Sequence, residues 1–493
     1  MTLTILLFRV AIAAIFLTLI TKYVFKKDIN WITSYLQNFC GALFVFSGKV
    51  KADDPLGTAY KMVDYFDQFE AVFAETWLSF IAPLFPLLSE YSIGFSVLVI
   101  IFEIVLGAML IIGHKPKLTA WAFFILVLFF TALTGFTYLT GYVPGDVNFF
   151  DFGGWGAYDA TNMKVTDCGC FGDYIKLEPK TSFFKDVFLL FPAVYFLIAT
   201  KSLHEWFSHN VRSILVSVIT VGLLIYCLSN YIWDIPRVDY RPFKKTVNIG
   251  EIMQLEQDAL ASVQITDYKV TNKSTGETKT IPYATYLSSF KDYPTTDWEL
   301  EQVSSEPTIA TTKISDFDIT TPDYVPLNGE ILESDDPVLL IFAYELYGTG
   351  SPASRVVNDT IYSRDTLLRE DGTTFIDRNI KEVRSRTEPY IDYHWKDYYA
   401  ERYRDIVIPF AEEAKASGVK VFAVISGADD AQIKDFRKDV GLDAVYGIAD
   451  DKLIKTIVRS NPGIVILKKG KILNKWHYKK LPKFKEIEES FLQ

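Results

Sequence analysis

Two thiols one residue apart are the most chemically specific feature of the sequence. They stand in the run Thr166-Asp167-Cys168-Gly169-Cys170-Phe171-Gly172-Asp173. A disulfide needs Cα atoms about 4.4–6.8 Å apart, and a turn at Gly169 can bring the two cysteines within that range. So small a ring is strained, and a strained disulfide is more oxidising. Cys168 and Cys170 are therefore a candidate redox pair. A pair of inert structural thiols competes with that reading. A metal site ranks below both, because two cysteines are half of a zinc ligand set and no histidine is near in sequence. The chain has four cysteines in all, too few to staple a fold. Cys40 reads as a small buried hydrophobe. At Cys227 a relay to the Cys-Gly-Cys loop competes with plain packing.

Glu103 is the second candidate. It interrupts the apolar run Ile100-Ile-Phe-Glu-Ile-Val105. An ionisable group at membrane depth is costly and points to function. The alternative is a structural pair with Arg9, Lys185 or a Ser/Thr hydroxyl.

These residues need a membrane bundle to position them. Six apolar segments are candidate spans: 3–24, 33–49, 91–112, 118–141, 183–201 and 211–231. The first lacks the basic start and cleavage site of a signal peptide, so it is read as a retained helix. Lysines, arginines and histidines collect in the loops 22–30, 113–117 and 201–212, which marks those loops as cytoplasmic. Loops 50–90 and 142–182 and both termini then face outward. Residues 59–75 repeat Met62, Phe66, Phe69 and Phe73 at helical spacing. They read as an amphipathic helix, packed on the rim or lying on the membrane surface, with the surface reading preferred. Gly41, Gly48, Gly94 and Gly107 are expected to let helices approach closely.

The remaining chain, from about 236, is polar. The net charge of −10 leaves no basic surface for nucleic acid. Residues 236–330 read as a β-rich connector, with a helix at 250–258, a hairpin around Asn272–Gly276 and Thr-rich strands over 308–320. From 331 the expected order is a strand at 337–343, a long helix over 393–416 kinked at Pro409, and a strand at 419–425. Helices at 429–439 and 450–460, strands at 463–467 and 472–477, and a final helix at 481–491 follow. An insertion of about 45 residues, 347–392, precedes the long helix. It ends in the aromatic group Tyr390, Tyr393, His394, Trp395, Tyr398 and Tyr399. About half of these are expected to pack on the core, leaving the rest to meet a partner.

Two resemblances follow from these residues. Gly41-Ala-Leu-Phe-Val-Phe-Ser-Gly48 with Lys51, Asp54, Pro55, Gly57 and Tyr60, the Glu103…Gly107 helix and Cys168-Gly-Cys-Phe-Gly172 resemble the DoxX family and the related MauE proteins, over about residues 35–200. The resemblance implies a four-helix membrane core, thiol or quinone redox chemistry, and a thioredoxin-like partner. A quinone is the one cofactor it implies. Residues 331–493 are similar to the thioredoxin fold, with Asn461-Pro462-Gly463-Ile-Val-Ile-Leu as the cis-proline strand and Pro462 as the candidate cis-proline. No cysteine follows Cys227, so this domain lacks the Cys-x-x-Cys of that family.

The expectation is thus a membrane α-helical bundle of about six spans with a DoxX-like core (1–235), a β-rich periplasmic connector (236–330) and an α/β thioredoxin-like domain (331–493). The expected setting is a bacterial inner membrane, with the soluble part in the periplasm. The expected function is thiol–disulfide or quinone-linked redox at Cys168 and Cys170. The soluble part would dock a periplasmic or envelope protein. The alternative is a non-enzymatic, membrane-anchored subunit of an envelope complex.

Overall fold

The computed structural model describes residues 2–166, 168–368 and 374–492. The chain divides into two compact units, Met1–Lys244 and Lys245–Gln493.

The first unit is helical: α1 (Leu3–Leu19, continued by a π-turn Ile20–Val24), α2 (Trp31–Asp53), α3 (Pro55–Ala74), α4 (Leu84–Glu90), α5 (Ser92–Ile112), α6 (Pro116–Leu139), α7 (Pro179–Ile198) and α8 (His209–Ser229). Among the described residues five segments are long and apolar enough to cross a membrane: Leu3–Val24, Ser92–Ile112, Pro116–Tyr142, Pro179–Ile198 and His209–Ser229. This corrects the expected six. The missing one is α2, whose 23 residues include Gln37, Asn38, Lys49, Lys51 and Asp53. Its length, about 34 Å at 1.5 Å per residue, suffices to cross; its composition does not qualify.

Yet α2 runs antiparallel along α5. Gln37 Nε2 donates to the Leu110 carbonyl at 2.7 Å, and Ser96 Oγ donates to the Pro55 carbonyl just beyond the other end at 2.7 Å. Between these points the two backbones touch at Gly41 and Gly107. A Cβ on Gly107 would stand 2.7 Å from the Gly41 carbonyl oxygen. Gly48 faces Ile104 equally closely, whereas Gly94 meets open space and is not a packing glycine. Most polar side chains of α2 are buried, Gln37 against α5 and Asn38 against Thr18 of α1, while Lys49 is exposed, so a polar helix sits among apolar ones. The bundle core forms around Leu6, Cys40, Phe44, Leu106, Phe123, Phe171 and Phe196. The amphipathic helix α3 packs on α6, with the Tyr65 hydroxyl 3.0 Å from Thr137 Oγ1 and Phe69 against Phe136.

The second unit holds α9 (Ile249–Ala261), β1 (Ile265–Asn272), β2 (Thr278–Pro282), α10 (Tyr283–Ser289), β3 (Trp298–Ser304), α11 (Asn328–Leu332), β4 (Val338–Ala343), β5 (Gly348–Leu368), β6 (Thr374–Trp395), α12 (Asp397–Glu401), α13 (Ile408–Ala416), β7 (Lys420–Ile425), α14 (Asp430–Val440), β8 (Val445–Ile448), α15 (Asp451–Ile457), β9 (Gly463–Lys468), β10 (Lys471–His477) and α16 (Phe484–Ile487). A small antiparallel sheet has the order β2-β1-β3. Its β1–β2 turn uses Gly276 in the left-handed region. The Thr-rich stretch 308–320 is not a strand. Its hydroxyls are drawn to Glu256 instead, with Thr312 Oγ1 donating to Glu256 Oε1 at 2.7 Å, and only Thr320 makes isolated bridges.

The main sheet has the order β10-β9-β4-β7-β8. β4, β7 and β8 are parallel; β9 and β10 run against them. All six residues of β4 are buried, as a central strand covered on both faces requires. The edge strand β8 was not anticipated. The long helix starts at Asp397 rather than 393. A π-turn at Arg402–Val407 runs without a break into α13 just before Pro409, the irregularity by which the helix accommodates a residue that lacks an N–H. The segment 347–392 is a two-stranded ribbon formed by β5 and β6.

His477, at the end of β10, is buried. Its Nδ1 accepts the Lys479 backbone N–H at 3.2 Å. Burial, with Lys479 and Arg402 nearby, lowers its pKa to about 4. A histidine held neutral in the fold contributes stability above its unfolded pKa of about 6.5, and that contribution is lost as pH falls toward 4. A loss of about 3 kcal/mol is expected over that window. Thermal melts of wild type and His477→Gln at pH 7 and pH 4.5 should show a smaller acid-induced drop for the variant.

Candidate functional site

The Cys168-Gly-Cys170 loop is folded by local turns. Gly169 and Gly172 both take positive φ, the Gly172 N–H donates to the Gly169 carbonyl at 3.1 Å, and Phe171 bridges Ile175. Phe171 is buried in the bundle core and anchors the loop there. Ser47 Oγ of α2 donates to the Cys170 carbonyl at 2.8 Å. Asp167 of the motif lies outside the described residues. Both cysteines are half-buried, and no two of the four cysteines are joined, so a closed Cys168–Cys170 ring is not the state seen. The Tyr65 hydroxyl reaches the Cys168 side chain as well as Thr137.

Cys170 sits near four charged groups: Lys185, Asp186, Lys51 and Glu103. They form two ion pairs. Lys51 Nζ is 2.7 Å from Glu103 Oε2, with both side chains almost fully buried. Lys185 pairs with Asp186, which also accepts from Thr134 Oγ1 at 3.0 Å. The Lys51 and Lys185 ammonium groups lie over the Phe130 and Phe171 rings at 5.2 and 5.8 Å. Burial pushes the Cys170 thiol pKa up; Lys185 and Lys51 oppose the rise, and Asp186 and Glu103 add to it.

Glu103 therefore has a partner, but it is Lys51, not Arg9, Lys185 or a hydroxyl. The helix α2 continues to Asp53, about one turn beyond the apolar stretch, and that extension carries Lys51 to Glu103. The same extension builds a second cluster that sequence reasoning missed. Asp53, fully buried, is 2.5 Å from Lys49 Nζ, accepts from the Tyr226 hydroxyl, and takes a 3.0 Å bond from the Tyr240 hydroxyl. The i,i+4 spacing of Lys49 and Asp53 was its one signal in the sequence.

Cys227 belongs to this second neighbourhood. It packs against Ala52, Val97, Ile100 and Ile104, while Phe171 anchors the Cys-Gly-Cys loop in a separate core. Cys40 lies in the bundle core, fully buried. In the second unit the Asn461–Pro462 peptide is cis. The aromatic group divides. Tyr399 is core and Trp395 packs on Phe436 with its Nε1 bonded to Asp435 at 2.9 Å, whereas Tyr390, His394 and Tyr398 are exposed. Among the described residues no group of three or more His, Cys, Asp or Glu is placed to hold a metal ion.

A family model described as Methylamine utilisation protein MauE matches residues 29–144. That stretch runs from the start of α2 to the end of α6. It contains Lys49, Lys51, Asp53 and Glu103 and ends before the Cys-Gly-Cys loop and the Lys185–Asp186 pair. No curated protein matches the chain significantly. No solved structure matches it significantly either. Five apolar helices and this match together make the chain a multi-pass membrane protein that carries a MauE-like domain over residues 29–144.

Proposed function

We propose that the first unit exchanges thiols for disulfides, with Cys168 and Cys170 as the redox pair. The observation that carries this reading is the placement of Cys170 beside four buried charges in a protein otherwise poor in cysteine. MauE proteins, named for methylamine utilisation, supply the same direction by likeness. In the step itself, the Cys168 thiolate attacks a disulfide of a partner protein and expels one partner thiolate. Cys170 then loses its proton and attacks Cys168 of the mixed disulfide, releasing the second partner thiolate. Two protons leave the pair and two are taken up by the partner, so the exchange balances. Cys170, with its pKa raised by burial, is the slower nucleophile and suits the resolving role.

The likeness to redox families also implies a quinone. Near this end of α2 the single donors of Tyr226 and Tyr240 are spent on Asp53, so neither hydroxyl fits a quinone carbonyl. No step is assigned to one. The second unit is read as a thioredoxin-like docking module in the periplasm of a bacterial inner membrane. Its β10-β9-β4-β7-β8 sheet with flanking helices supports that reading, and its lack of cysteine removes thiol exchange from it. That lack also supports a second reading, a non-enzymatic subunit of an envelope complex.

Acid-quenched membranes treated with a mass-tagged maleimide report the state of the pair. Cys168→Ser is expected to abolish exchange with a model disulfide, and Cys170→Ser to trap mixed disulfides. A pair that stays reduced, with exchange unchanged in Cys168→Ser, sinks the redox proposal and leaves the subunit reading.

A further inference from the structure

Three of the five histidines of the chain gather at one end of the helical unit. His114 lies in the turn between α5 and α6, His204 follows α7, and His209 opens α8. His204 is fully employed: its ring meets Ser34 Oγ at 2.8 Å and the Ile111 carbonyl at 2.9 Å. His114 is not. It is 4% exposed, yet among the described residues its Nδ1 has no hydrogen-bond partner. The His209 ring stacks on it, with centroids 5.7 Å apart and 27° between the planes. Arg212, in the first turn of α8, is buried too and reaches back to the same loop. It donates to the Gly113 carbonyl and pairs with Glu205 at 2.6 Å, but its Nε is likewise unbonded. A buried nitrogen without a partner is costly, so two in one cluster point to a group that completes them.

The charge around them is mostly of one sign. Burial, then Lys115, Arg212 and His209, lower the His114 pKa, and Glu205 alone opposes them. Two helix starts add to this positive field. Lys115 and Ser208 are the N-caps of α6 and α8, and neither side chain makes a capping bond. The cluster also lies at the ends of spans. His114 falls between the spans Ser92–Ile112 and Pro116–Tyr142, and His209 begins the span His209–Ser229. Beside it, Leu118 and Trp121 of α6 and Val211 and Ile214 of α8 are exposed apolar side chains. That is the depth of lipid headgroups, with hydrocarbon-facing residues next to it.

We propose that Lys115, His209, His114 and Arg212 form a binding site for the phosphate of an anionic phospholipid. Lys115 and His209 are exposed and meet the phosphate oxygens first. Being at the surface, His209 can change rotamer and swing off the His114 ring, which opens the inner nitrogens to the ligand. Arg212 Nε donates in any state, and His114 donates when Nδ1 carries its proton. The flanking apolar side chains suit acyl chains, which favours a lipid over a soluble phosphate. Glu205 is the single acid at the site and is already paired with Arg212, so a headgroup amine finds no counter-ion there. That favours a lipid of net negative charge over a zwitterionic one.

Delipidated full chain in a neutral detergent is titrated with phosphatidylglycerol, phosphatidylcholine or inorganic phosphate, and followed by native mass spectrometry and thermal unfolding. Phosphatidylglycerol is expected to bind about tenfold tighter than phosphatidylcholine and to raise the melting temperature. Inorganic phosphate at the same concentration should leave the melting temperature unchanged. Lys115→Gln with His209→Gln should cost about tenfold in phosphatidylglycerol affinity. Lys164→Gln with Lys180→Gln, at exposed lysines before and at the start of α7, should cost nothing. All four positions are exposed, and an unchanged lipid-free melting temperature establishes folding. The comparison of lipids on the wild type stands whether or not the variants fold. Equal binding of the two lipids, a Lys115/His209 double variant that keeps phosphatidylglycerol, or equal stabilisation by inorganic phosphate would each overturn the proposal. None of these outcomes bears on Cys168 and Cys170.

Discussion

Replacing Glu103 with alanine is expected to destabilise the membrane unit by about 3–5 kcal/mol, because it strands the Lys51 ammonium in a buried site. Both partners are almost fully buried, and their 2.7 Å contact joins α2 to α5. Lys51→Ala should cost a similar amount by stranding the carboxylate. The double replacement Lys51→Met with Glu103→Leu removes both charges and keeps the volume, so it should return to within about 1 kcal/mol of wild type or exceed it. Thermal unfolding in detergent, followed by the fraction of monodisperse protein, measures all three. Equal losses in the singles and the double would show that the two residues do not act as a pair. Thiol exchange adds a second readout. If the charges beside Cys170 tune its reactivity, the stable double variant folds but reacts at an altered rate.

Gly107 is expected to tolerate nothing larger. Its absent side chain faces the Gly41 carbonyl oxygen at 2.7 Å and the Val45 nitrogen at 2.9 Å, both of them backbone that a rotamer change cannot move. Gly107→Ala should cost about 1–3 kcal/mol through helix displacement, and Gly107→Leu should leave little folded protein in the membrane. Gly94, in the same helix, has open space around it. Gly94→Ala should be neutral or stabilising by up to about 1 kcal/mol. A ranking by melting temperature that puts both alanine variants level would refute the close α2–α5 contact.

Much of this was legible because the patterns are local. β4 and β9 are nearly unbroken apolar runs, and the turn at Gly470 after β9 marks where β10 must start, although β10 itself mixes Lys, Asn and His with its apolar residues. Gly41, Gly48 and Gly107 announce close packing by spacing. Lys51 stands in the sequence motif, but its pairing with Glu103 is not legible there, because apolarity stops at residue 49 while the helix goes on to Asp53. Those partners, Glu103 and Tyr226, lie 52 and 173 residues from their mates in the chain, beyond any local signal. The ribbon was read only as an insertion because Ser, Thr and Asn dilute its alternation.

The four charges beside Cys170 are two ammonium groups and two carboxylates, and they sum to zero. A proton passed from either lysine to its acid leaves that sum unchanged. A transmembrane potential does work on net charge, about 2.3 kcal/mol per unit charge per 100 mV. An electroneutral quartet gives it nothing to pull on. A change in membrane voltage therefore exerts no net force on the cluster as a whole.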